Sequence, residues 1–115
     1  MPRPVLLRGL CLAALLTGLS AHAGAEEFDE ATLERGRALF VAEAPVPCGA
    51  CHVLADAGTS GNLGPVLHDM KPSLEQVKAA VTDGVGIMPA YADMLSAEDI
   101  AAVSAYVAKA SGALN

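Results

Sequence analysis

Tryptophan is missing from this chain of 115 residues, and only two phenylalanines and two tyrosines make up its aromatic complement. So few large side chains leave a small domain short of core material, a deficit that a non-peptide staple would relieve. Basic residues are scarce as well: seven Lys and Arg stand against 13 Asp and Glu, for a net charge of −6. That balance argues against nucleic acid and anionic lipid surfaces as partners. No segment alternates apolar and polar residues as a half-buried strand does, which points away from sheet architectures. No internal repeat or low-complexity stretch divides the chain, so one domain is the economical reading.

The apolar run Leu10 to Leu19 follows Arg3 and Arg8 and precedes Ala21-His22-Ala23. This is the pattern of a secretory signal, with cleavage after Ala23 as the first choice and after Ala25 as the second. A stable membrane anchor would need roughly 18 apolar residues, and this run is shorter. Cys11 lies inside the run with no lipobox ahead of it, and leaves with the signal. The expected mature domain, residues 24–115, has 92 residues, and losing Arg3 and Arg8 moves its net charge from −6 to −8. Export of this kind places it in the periplasm.

Helical spacing accounts for most of that domain. A first helix is expected over 30–42, with Asp29 as N-cap, Leu33, Gly36 and Phe40 on one face, and Pro45 and Pro47 to end it. Residues 55–65 read as a loop that leaves through Gly64-Pro65. Ser73 to Gln76 matches a capping box for a helix that runs to Gly84. Gly84 to Pro89 is a glycine-punctuated loop. The last helix starts at Ser96, with Asp99 in the place of the usual capping-box Glu and an apolar stripe of Ile100, Val103, Tyr106 and Val107. The fold class is therefore all-α: three or more helices joined by long loops.

The strongest chemical signal is Cys48-Gly49-Ala50-Cys51-His52, the C-x-x-C-H spacing of covalent haem attachment. Two thiols at i and i+3 on a tight turn can reach two vinyl groups along one porphyrin edge. The adjacent imidazole of His52 can then reach the iron from one face. A disulfide between these cysteines would close a tiny loop and stabilise little. A thioredoxin-like redox pair wants a βαβ context, and zinc wants more ligands than His68 and a carboxylate supply.

In order along the chain, Gly36 and Phe40, Cys48-x-x-Cys51-His52, Gly64-Pro65-x-Leu67, Met88-Pro89 and Tyr106 resemble the class I, monohaem cytochrome c family. The resemblance implies a small fold wrapped around one haem, with the first and last helices crossing at Gly36 and Tyr106. It implies that the carbonyl of Pro65 holds the second nitrogen of His52 and that Met88 is the other axial iron ligand. Met70, Met94 and His68 are the competing candidates, with Met94 better read as core filler and His68 as a surface residue or one on the propionate side. Bis-His ligation stays open.

With both axial positions filled the iron offers no substrate site, so the expected function is one-electron transfer between a dehydrogenase and a downstream acceptor, with no catalytic residues. The partners would be redox proteins with basic docking surfaces. The run Cys51 to Gly58 together with Gly64 to Leu67 also resembles the cytochrome subunit of bacterial sulfite dehydrogenases, which makes a tightly bound subunit of a sulfite-oxidising molybdenum enzyme the second possibility. A haem peroxidase or gas-binding protein with an open sixth position is the third.

Overall fold

The computed structural model describes residues 1, 2, 4, 18 and 27–114. Apart from positions 1, 2, 4 and 18, the export signal read at residues 1–23 and its cleavage point fall outside the described residues. Among the described residues the architecture is helical, with α1 at Glu30–Ala38, α2 at Leu67–Met70, α3 at Leu74–Asp83 and α4 at Ala97–Ala110. No helix among them is long and apolar enough to cross a membrane.

Each of the three longer helices begins at a side-chain cap. Asp29 accepts from the backbone N–H of Thr32 at 2.7 Å. Ser73 and Gln76 form both halves of a capping box, at 3.2 and 2.8 Å. Ser96 accepts from the N–H of Asp99 at 3.0 Å. The reciprocal half of that last box, expected from Asp99, is not made, because its carboxylate turns to Arg35 on α1. The guanidinium donates to both oxygens, at 2.8 and 2.9 Å, and also pairs with Glu43.

The first helix runs farther than its regular part. Beyond Ala38 the chain continues through a π-helical turn, Leu39–Glu43, closed by Ala44 N–H onto the Leu39 carbonyl at 3.2 Å. The wide turn buries both Leu39 and Phe40. Helices α1 and α4 cross at Gly36, where any β-carbon would meet the Ala102 carbonyl and lie 2.6 Å from Tyr106 Cβ. Close approach brings the Phe40 and Tyr106 rings edge to face, with centroids 5.9 Å apart.

The apolar stripe expected on α4 proves too narrow. Residues Ala102 to Ala108 are all buried, Ser104 and Ala105 included. Small side chains allow the tight crossing on one side. On the other, the N–H groups of Ala113 and Leu114 fold back onto the Ala108 carbonyl. The buried Ser104 hydroxyl is satisfied by donating to the Ile100 carbonyl at 2.6 Å.

Candidate functional site

Pro47 ends the bent segment after the π-helical turn and opens a 3₁₀ turn, Cys48–Ala50. The N–H groups of Cys51 and His52 both donate to the Cys48 carbonyl, at 3.1 and 2.9 Å. The turn therefore sets the two thiols and the imidazole on consecutive corners. Cys48 and Cys51 are not bridged to each other. Burial, with Cys51 adding to it, pushes the Cys48 thiol up to about 11. As a free cysteine such a sulfur is a protonated thiol at neutral pH, the opposite of an activated thiolate.

The glycine-rich loop wraps around this turn by backbone contact. Leu63 and Gly64 N–H groups converge on the Cys51 carbonyl, at 3.1 and 2.8 Å, and Leu67 N–H reaches the Val53 carbonyl at 2.9 Å. A β-carbon on Gly61 would sit 2.5 Å from the Ala50–Cys51 peptide, and one on Gly64 would sit 2.7 and 2.9 Å from the two His52 ring nitrogens. His52 Nδ1 lies 2.8 Å from the Pro65 carbonyl oxygen. A carbonyl only accepts, so in the neutral ring Nδ1 carries the proton and Nε2 keeps its lone pair, the state a metal ligand needs.

Two hydroxyl groups hold this frame without any local pattern announcing them. Thr59 donates to the His52 carbonyl at 2.8 Å and accepts from Leu54 N–H at 3.2 Å. Tyr91 donates to the Val46 carbonyl at 2.6 Å. The glycine contacts at 61 and 64 were equally unassigned from sequence, although the Gly-Pro pair drew attention to the segment.

The sulfur candidates separate by position. Met88 is partly buried, packs against the core and closes a turn with Val85, donating at 2.9 Å and accepting at 3.2 Å. Met70 lines the same cavity but is 55% exposed. Met94, expected as core filler, is instead 38% exposed, because it lies in the turn entering α4 and not on a buried helical face. His68 accepts from Ala55 N–H through Nδ1 at 3.2 Å, and its Nε2 lies 3.9 Å from the Asp69 carboxylate. It tethers the loop after the cysteine turn and is absent from the cavity wall.

Cys48, Cys51, His52, Pro65, Met88 and Tyr91 line one cavity of about 330 Å³. The rest of the wall is Leu, Val, Pro, Phe and Ala apart from Gln76, Met70, Ile87 and Gly64, and no Asp, Glu, Lys or Arg contributes to it. At the mouth Leu63, Val85 and Ile87 remain exposed. Among the described residues no cluster of three His, Cys, Asp or Glu side chains forms a bare-ion site. An uncharged apolar wall, two thiols on one edge, an imidazole with a free lone pair and a thioether together suit a flat apolar macrocycle carrying a metal.

A model of the family described as cytochrome C oxidase, cbb3-type, subunit III matches residues 31–107. Cytochrome c6 of Microcystis aeruginosa is 38% identical over 64 residues, 52% of this chain and 79% of that protein. Cytochrome c6 of Cladophora glomerata is 36% identical over 85 residues, 69% of this chain and 89% of its own length. Among solved structures, the c-type cytochrome SorU from Sinorhizobium meliloti is similar at a TM-score of 0.70 and 43% identity, covering 73% of this chain and 95% of that one.

Proposed function

We infer that this chain, which belongs to the cytochrome c family, is a periplasmic one-electron carrier that takes electrons from a dehydrogenase and delivers them to a downstream acceptor. Its cofactor is covalently attached haem c. When bound, the haem iron supplies a ferric/ferrous couple, and a thioether ligand favours the ferrous side more than a second imidazole does.

The chain's own residues divide the work of holding that group. Cys48 and Cys51 would tether it by thioethers, and His52, its Nδ1 proton held by the Pro65 carbonyl, would offer Nε2 to the iron. Met88, in the same cavity wall, would supply a thioether sulfur as the second protein ligand. The surrounding apolar wall excludes water, and the exposed Leu63, Val85 and Ile87 form an uncharged rim against which a redox partner docks. Residues 24–115 constitute the working domain, released from the export signal after Ala23.

The observation that carries this reading is the convergence of Cys48, Cys51, His52 and Met88 on one uncharged cavity. Carbon monoxide binding tests it. Ferrous protein with both axial positions filled should bind the gas slowly at neutral pH, and Met88→Ala should bind it rapidly. Rapid binding by the unaltered protein would favour the open-site alternative, a peroxidase or gas-binding protein.

A second reading is favoured by the run Cys51 to Gly58 with Gly64 to Leu67, which resembles the cytochrome subunit of sulfite dehydrogenases. In that setting the same site receives electrons from a tightly bound molybdenum subunit. Stoichiometric copurification with a molybdenum protein would select it, and a free monomer would select the shuttle.

A further inference from the structure

Val46 stands between Pro45 and Pro47, neither of which has an N–H to donate. The short bent segment that leads into the Cys48 turn is therefore poorly held by its own backbone. The hydrogen bond found at the Val46 carbonyl comes from far along the chain, from the Tyr91 hydroxyl at 2.6 Å.

Tyr91 is itself firmly placed. It is 3% exposed, its N–H donates to the Val81 carbonyl on α3 at 2.8 Å, and its own carbonyl accepts from Met94 and Leu95, both at 2.9 Å. Its ring lies in the cavity wall, three residues after Met88. Burial pushes its hydroxyl up, so it remains a donor at physiological pH.

The loop that carries Met88 has few other restraints. Its tip is held by the paired Val85 and Met88 backbone bonds, while Val85 is 64% and Ile87 83% exposed. With Val85 to Ile87 exposed, one part-buried hydrogen bond to a neighbouring segment is a large fraction of what fixes the loop.

We propose that Tyr91 is a positioning residue: its hydroxyl straps the Met88 loop to the segment preceding Cys48, joining the two sides of the haem site and limiting how readily Met88 leaves the iron. This role rests on Met88 being the axial ligand. Tyr91→Phe keeps the ring and removes only the strap.

The test uses full-length exported holoprotein and imidazole as a competing ligand for ferric iron, alongside the near-infrared sulfur-to-iron absorption band. Tyr91→Phe should bind imidazole about two- to tenfold more tightly than the unaltered protein, the range set by one lost hydrogen bond, and should lose the band at a lower temperature. Tyr106→Phe is the control. Its hydroxyl makes a bond of the same 2.6 Å length to Asp56, away from the cavity wall, so it should destabilise the fold while leaving imidazole affinity unchanged. Equal affinity in Tyr91→Phe and the unaltered protein, or equal tightening in both tyrosine variants, overturns the strap. A near-infrared band that survives Met88→Ala overturns the ligand assignment and the strap with it. A band abolished by Met88→Ala beside an unchanged Tyr91→Phe overturns the strap alone.

Discussion

Gly64 is glycine because the His52 imidazole occupies the space where a side chain would stand. A β-carbon there would lie 2.7 Å from Nδ1 and 2.9 Å from Nε2, so Gly64→Ala has to move the ring off the Pro65 carbonyl or move the loop. Overpacking of this kind costs about 1–3 kcal/mol, and here it falls on the residue assigned to the iron. The expected outcome is a lower yield of haem-bearing protein and an earlier denaturant midpoint, measured by alkaline pyridine spectra and by unfolding curves. At this scale the sequence pointed to residues whose chemistry demands a type at a spacing, Cys48, Cys51 and His52 from the motif with Pro65 and Met88 from the family likeness, and the structure brings all five to one cavity wall. Thr59 and Tyr91 were not legible, because a hydroxyl reaching a carbonyl across the fold leaves no periodicity behind. Tyr91 reaches back 45 positions to Val46.

Helix starts were readable because caps are local chemistry, and Asp29, Ser73 and Ser96 all cap where expected. Other features depended on packing. The π-helical turn Leu39–Glu43 widens the chain to bury Phe40, α2 is a single turn of four residues, and α4 is enclosed nearly all round. Asp99 shows the same limit, since the sequence suggested a capping carboxylate and the structure instead pairs it with Arg35 across the α1–α4 crossing. That pairing holds the Asp99 carboxyl below its usual 3.8, mainly through the guanidinium hydrogen bonds. A carboxyl with a lowered folded value contributes stability that is complete above its unfolded value and is lost as pH falls through the folded one. The α1–α4 crossing should therefore weaken below about pH 4. Thermal midpoints measured at low salt should fall less steeply from pH 5 to pH 3 in Asp99→Asn than in the unaltered protein; parallel slopes would remove the pair from the acid response.

Over the whole molecule, charge and contact surface are separated. Acidic residues outnumber basic ones 13 to seven, yet none of either kind lines the cavity. With a basic partner, long-range attraction would govern encounter and the uncharged rim would govern the fit. Stopped-flow electron-transfer rates with a basic partner should fall as ionic strength rises, and a flat profile would remove charge steering. Fold class was legible at this scale because helical spacing recurred in three separate segments and no segment alternated as a strand, whereas partner identity leaves no mark in a rim of Leu, Val and Ile. Beneath all of this lies the covalent link between polypeptide and haem, and intact mass under denaturing conditions, after extraction with acidified organic solvent, measures it most directly. The expected result is coloured protein with the mass of the polypeptide plus one haem; a colourless polypeptide of bare mass would contradict the account.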